Sequence, residues 1–231
     1  MNIITKELFK SVDKNYCEFS KKLIPDTNYE ILGVRVPTIK KIAKKYSTNT
    51  KIINDYLFEK HYYYEEWFLH GLLIGLEKRD VEKVLKLLDE FLPYLDNWAI
   101  CDSTSASLKI IKCNKELFFE KITGYLNSNN PYTVRFAVTL FMNYFLEEQY
   151  LEDIFKLINK INSNHYYINM AISWLYSVAL VKHYDKTITL FTDNVLSDFI
   201  HNKSIQKAIE SFRIPQDKKL YLKTLKRKKT K

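Results

Sequence analysis

Apolar positions along this chain recur every three to four residues in short blocks separated by polar and turn-forming residues, and this period predicts helices almost throughout. The blocks fall at roughly 3–21, 37–46, 48–59, 62–77, 80–91, 97–112, 114–126, 131–146, 149–160, 165–181, 184–196, 200–212 and 216–227. The first helix of each successive pair opens near Tyr62, Asn97, Pro131, His165 and Ile200, at spacings of 35, 34, 34 and 35 residues. A constant period in this range, with two helices per unit, marks an α-solenoid rather than a four-helix bundle. The small residues Gly71, Ser105, Ala137, Ala171 and Ala208 recur at 34, 32, 34 and 37, which predicts an equivalent close helix crossing in each repeat. The expected fold is therefore all-α, an α-solenoid of helical repeats, with one domain over 1–214 and a C-terminal helix and basic tail over 215–231.

Start signals agree with several of these helices. Pro37 and Pro131 sit where proline is tolerated, at the first helical position, with Asn130 as N-cap before the second. Either Asp96 or Asn97 can cap the helix that follows them. With 46% hydrophobic and 15% aromatic residues, a chain of 231 residues can fill a substantial core. Only four glycines and five prolines disfavour a β-sandwich or a dinucleotide-binding α/β fold, both of which use glycines in turns and close approaches. The N-terminal twenty residues lack the apolar core of a signal peptide, and no apolar run approaches the length of a membrane span. Cys17, Cys101 and Cys113 are odd in number and scattered, which fits neither a disulfide framework nor a zinc site. A reducing cytoplasm is the expected location.

The net charge of +9 raises the question of a nucleic-acid partner, but its distribution matters more than its size. Residues 1–60 carry +5 and the last fourteen carry +8, whereas 61–130 carry −3 and 131–217 carry −1. The excess lies at the two ends. Basic residues as dense as those in "LKRKKTK" form either a solvated tail or a salt-sensitive phosphate contact.

The stretch "DNWAICDSTSASLKII", residues 96–111, departs from its surroundings. Its period is helical, yet Asp102 stands in the second turn, and Ser103, Thr104, Ser105 and Ser107 each cost about 0.5 kcal/mol relative to Ala. Trp98 and Asp102 are four apart and so share a helix face. On spacing alone Trp98 is a core aromatic and Asp102 a capping or solvated side chain; alternatively the small residues leave room beside a carboxylate for a bulky ligand. Arg135 opens an otherwise apolar helix, where it serves as a rim ion pair or an anion contact. Trp174 fits the core or a ligand groove, and Trp67 reads as core. Five histidines without an HExxH or an i, i+4 pair make a metal site unexpected, and neither a P-loop nor a nucleophile elbow is present.

Five segments in order, "ILGVRVPTIKKIAKKY", "NWAICDSTSASLK", "VRFAVTLFMNYF", "YYINMAISWLYS" and "NKSIQKAIESFRI", resemble the DNA alkylation repair family, whose AlkD-like members are helical solenoids of HEAT-like repeats. The likeness runs from about residue 28 to about 213. It implies a concave surface that holds double-stranded DNA as a monomer and, in active members, a glycosylase that removes cationic N3- or N7-alkylated purines without metal or other cofactor. Matched position by position, the W-x-x-x-D element is Trp98 and Asp102, with Asp102 catalytic; the backbone-contacting arginine is Arg135; the second groove tryptophan is Trp174. Lys40 and Lys41 are candidate phosphate contacts. Glycosylase members have two N-terminal helices, one bearing an aromatic that faces the lesion, where the pattern here shows one, 3–21. Ser177 stands where a further basic contact is expected. The chain thus resembles the subgroup with a shortened N-terminus, in which DNA binding persists while excision is lost or redirected. Two other readings follow: a non-catalytic binder of bent, branched or damaged DNA, and a helical scaffold that binds protein.

Overall fold

The computed structural model describes residues 2–228, and among these the chain folds into fourteen α-helices joined by short loops and 3₁₀ turns. It divides into two compact units, residues 1–114 and 115–231. The first holds α1 (Ile3–Phe9), α2 (Lys14–Leu23), α3 (Val36–Tyr46), α4 (Thr50–Leu57), α5 (Tyr64–Leu76), α6 (Val81–Phe91) and α7 (Trp98–Ser107). The second holds α8 (Lys115–Tyr125), α9 (Pro131–Tyr144), α10 (Leu151–Asn159), α11 (Tyr166–Lys182), α12 (Tyr184–Thr192), α13 (Asp198–Glu210) and α14 (Gln216–Thr224). The all-α, helical-repeat class read from the sequence is the class observed. The helices that open successive repeats, α5, α7, α9, α11 and α13, begin 34, 33, 35 and 32 residues apart.

Within the first unit α5 is the central element. Every residue from Tyr64 to Gly75 is buried, as befits a helix apolar around most of its circumference, and α1, α3, α4, α6 and α7 all pack against it. Two buried acids in its first turn fix the surrounding chain. Glu65 is 0% exposed; its Oε2 accepts the Leu32 N–H at 2.9 Å, and its Oε1 accepts the Gly33 and Val34 N–H groups at 2.7 and 3.0 Å. Gly33 sits at φ +90°, and a Cβ there would lie 2.3 Å from the Asp13 carbonyl oxygen, so only glycine lets this loop wrap the carboxylate. Burial pushes the Glu65 carboxyl up, and the three backbone N–H groups pull it back toward the ionised form. Glu66 accepts the Tyr62 and Tyr63 N–H groups, closing the helix start, and takes the Thr5 hydroxyl from α1.

The α5–α7 crossing is close because both partners are small where they meet. A Cβ on Gly71 would lie 1.9 Å from Thr104 Oγ1, and one on Gly75 would lie 1.8 Å from Ser107 Oγ. In the second unit α9, α11 and α13 pack in succession, with α8 on α9, α12 on α11 and α14 on α13. The small residues Ala137, Ala171 and Ala208 in these helices are all fully buried.

Two expected boundaries differ. The block at 3–21 is two helices, because Asp13 leaves helical geometry (φ −126°, ψ 110°) and caps the second by accepting the Tyr16 N–H. The single N-terminal helix expected is thereby corrected: two short helices, α1 and α2, precede α3. The helix at 97–112 ends at Ser107, and Lys109–Cys113 forms a 3₁₀ turn. Ser105 and Ser107 donate to the Asp102 and Thr104 carbonyls, competing with the helical ladder there.

Buried His70 of α5 pairs with buried His61 of the loop before it, His61 Nε2 lying 2.9 Å from His70 Nδ1. They pack among Tyr56, Trp67 and Phe91. Burial lowers their pKa values from 6.5 to about 4 and about 3. Both are therefore neutral in the folded protein, one ring donating to the other.

Two tests follow from this packing. Gly71→Ala is expected to destabilise the fold by about 1–3 kcal/mol, with Thr104→Ala in the same background recovering part of the loss. Thr104 Oγ1 has no hydrogen-bond partner among the described residues, so its removal costs little. Gly124→Ala on exposed α8, where an added Cβ meets nothing within 4 Å, is the control and should gain up to ~1 kcal/mol in urea unfolding. The histidine pair has folded-state pKa values below the unfolded value, so its contribution is complete above pH 6.5 and declines as pH falls toward 4. Unfolding free energy measured from pH 7 to pH 4 should drop by several kcal/mol, and His70→Phe should flatten that slope. An unchanged slope would exclude the pair as its source.

Candidate nucleic-acid interface

The face of α7 opposite its packing surface carries Trp98 and Asp102. Ile100, Cys101, Thr104 and Ser105 are buried, whereas Trp98, Ala99, Asp102, Ser103 and Ala106 are partly or fully exposed. Burial thus alternates with the helical period, and Trp98 and Asp102 stand one turn apart on the accessible side. Asn97 is the N-cap, its Oδ1 accepting the Ala99 and Ile100 N–H groups at 3.1 and 3.0 Å. Asp96, the alternative cap, instead accepts the Thr27 hydroxyl and the Asn28 N–H, fastening the loop after α2 to the start of α7. Of the small residues, Thr104 and Ser107 serve the α5 crossing, and Ser103 and Ala106 lie on the accessible face.

Trp98 makes one contact that spacing did not indicate. Its indole N–H donates to the carbonyl of Leu23, the last residue of α2, at 3.0 Å. One of the orphan carbonyls at the end of α2 is satisfied in this way, and the plane of the indole is fixed. Four residues earlier on α2, Phe19 is 53% exposed. Phe19 was missed because the pattern merged α1 and α2; the signal that separates them is Asp13 in "KSVDKNY", a capping residue followed by a helical period.

Arg135 and Trp174 lie in the second unit, apart from the unit that contains Trp98 and Asp102. Arg135 is 6% exposed, and its Nη1 donates to the Tyr167 carbonyl in the first turn of α11 at 2.9 Å. Trp174 is on that same helix, 37% exposed. It lines a cavity of about 260 Å³ together with Ser177, Lys207, Glu210 and Arg213. Ser177 itself is 5% exposed and donates to the Trp174 carbonyl, so the cavity takes its positive charge from α13 and the loop after it. Lys207 and Arg213 were not singled out in the sequence, because nothing in their spacing ties them to Trp174. Lys40 and Lys41 are exposed on α3. Trp67, read as core, is 6% exposed and stacked on Tyr94 at 4.4 Å.

Among the described residues no three His, Cys, Asp or Glu side chains gather as a metal ion requires, and no helix is long and apolar enough to cross a membrane. The accessible groups are aromatic faces, a carboxylate and basic side chains on a helical-repeat scaffold. The sequence model of the family described as DNA alkylation repair enzyme matches residues 4–212, and the chain belongs to that family. Comparison with curated proteins returned no match.

The indole hydrogen bond gives a direct test. Trp98→Phe keeps an aromatic ring and removes the donor, leaving the Leu23 carbonyl to water. A loss of about 0.5–1.5 kcal/mol is expected, with faster hydrogen exchange across α2 than across α5. Equal exchange in the variant and the parent would show that the bond does not hold α2.

Proposed function

We propose that this protein binds double-stranded DNA and excises cationic N3- or N7-alkylated purines as a glycosylase, with Asp102 as the catalytic carboxylate. The observation that carries this reading is the pairing of Trp98 and Asp102 on the accessible face of α7 in a chain whose family match covers both. An alkylated purine bears a positive charge, which the base loses as the bond from C1′ to its ring nitrogen breaks and takes the electron pair. The sugar is left as an oxocarbenium ion. Water then adds to C1′ and gives up a proton. An ionised carboxylate beside the sugar stabilises that cation and orients or deprotonates the water. No metal is needed for either step.

An exposed aromatic face could attract the same charge. A tryptophan face attracts a cation by roughly 0.5–2 kcal/mol, more as water is excluded, and the partly exposed rings of Trp98 and Trp174 are the candidates. Phe19 on α2 is a candidate for the lesion-facing aromatic. Arg135, buried and bonded to the Tyr167 carbonyl, is suited to hold the start of α11 in place, and a contact of its own with the DNA backbone belongs to this proposal. Lys40 and Lys41 supply exposed charge for phosphates. The reading without catalysis drew on a single N-terminal helix; with α1 and α2 both formed it loses that support.

Incubation of the purified protein with methylated duplex DNA should release 3-methyladenine and 7-methylguanine. Asp102→Asn should lower the release rate by about 10²-fold or more while leaving duplex affinity within a small factor. Release at the buffer rate by the parent protein, or equal release by the variant, would overturn the catalytic assignment.

A further inference from the structure

Beyond the family match, the described residues up to 228 stay on the fold. After α14, residues 225–227 turn back onto α13 and are tied there by backbone and side-chain hydrogen bonds. The Leu225 carbonyl lies 2.8 Å from His201 Nε2, and Asn202 both donates to the Arg227 carbonyl and accepts its N–H. The Arg227 guanidinium donates to the Leu196 carbonyl and to Asp198 at 2.7 Å, and to Asn194 at 3.0 Å. Arg227 therefore acts as an anchor. Its neighbours Lys226 and Lys228 are exposed.

With Lys203 of α13, those two lysines line a cleft of about 590 Å³ together with Phe199, Asn202 and Gln206. The one acid in its lining, Asp198, is neutralised by Arg227. Lys203 donates to Gln206 at 3.2 Å, a bond between exposed side chains that a stronger acceptor would replace. The cleft also continues a track. Lys203 and Lys207 are one turn apart on α13, about 6 Å along its axis, and Lys207 lines the Trp174 cavity. Gln206 and Glu210 run parallel to them, joined by a hydrogen bond of 3.0 Å.

We propose that the cleft formed by Lys203, Lys226 and Lys228 is a second DNA phosphate site, built by the anchored C-terminal segment and extending the surface around Trp174. It rests on the DNA-binding half of the function proposed above and not on catalysis. The occupant is a phosphodiester backbone: the lining offers several cations, the Gln206 amide and one aromatic side chain, Phe199, with no enclosed pocket for a base.

Anisotropy titration of a labelled, undamaged duplex between 50 and 200 mM salt tests the proposal. Replacing all three lysines by Gln should reduce the slope of log affinity against log salt by about 2–3, roughly 0.9 per phosphate contact, and should weaken binding tenfold or more at the low-salt end. A charge-matched control, K51Q/K86Q/K156Q, should leave the slope within about 0.5 of the parent. Thermal melting of both variants should match the parent, since all six side chains lie outside the core. Arg227→Met should lower both the melting temperature and duplex affinity, because it releases the anchor. An unchanged slope in the triple variant, or equal losses in the triple variant and the control, would overturn the proposal. Release of alkylated base is scored separately: a parent protein that binds duplex but releases nothing refutes the catalytic role of Asp102 and leaves the phosphate site standing. Intact release with an unchanged slope does the reverse.

Discussion

A carboxylate with no exposure to water holds the first unit together. Glu65 would be costly to bury alone, and the Leu32, Gly33 and Val34 N–H groups would be costly to bury unpaired; each cost cancels the other. The loop between α2 and α3 is thereby drawn onto the first turn of α5. The carbonyl of Glu30 meets the Tyr64 N–H at 2.8 Å in the same region. Because α5 is also the helix on which α7 packs, the orientation of Trp98 and Asp102 descends from this one polar knot. Removal of the acid would leave three donors without a partner in a site that water does not reach.

Periodicity revealed the helical-repeat class because it is a property of many residues at once: buried faces of α5, α9, α11 and α13 repeat whatever any one side chain does. Single polar residues were less legible. Glu65 and Glu66 follow a tyrosine run at a helix start, a pattern shared by solvated first-turn acids, and only the approach of residues 32–34 to Glu65 and of Thr5 to Glu66 makes them core. His61 and His70 are nine apart and lie on different elements, so no local period brings them together. Asp13 was readable, since a capping residue interrupts the block at 3–21, but a continuous helical period outweighed it.

The candidate site was legible to the degree that its residues share one helix. Trp98 and Asp102 follow from i, i+4 spacing, and the structure keeps both on the accessible side of α7. The small residues that drew notice there have a divided purpose. Thr104 and Ser107 are small because Gly71 and Gly75 stand opposite, while Ser103 and Ala106 leave the outer face low. Packing and openness thus call for the same residue sizes on both sides of one helix. In the second unit the cations near Trp174 come from α13 and its following loop, a tertiary proximity that no spacing within α11 encodes.

The indole bond from Trp98 to the Leu23 carbonyl makes one side chain a member of two elements. A ligand that prefers the bonded orientation of that ring must tighten α2 by the same factor by which an ordered α2 tightens the ligand, since linkage runs equally in both directions. The local order of α2 and the affinity of such a ligand at the face of α7 would then be two readings of a single coupling free energy.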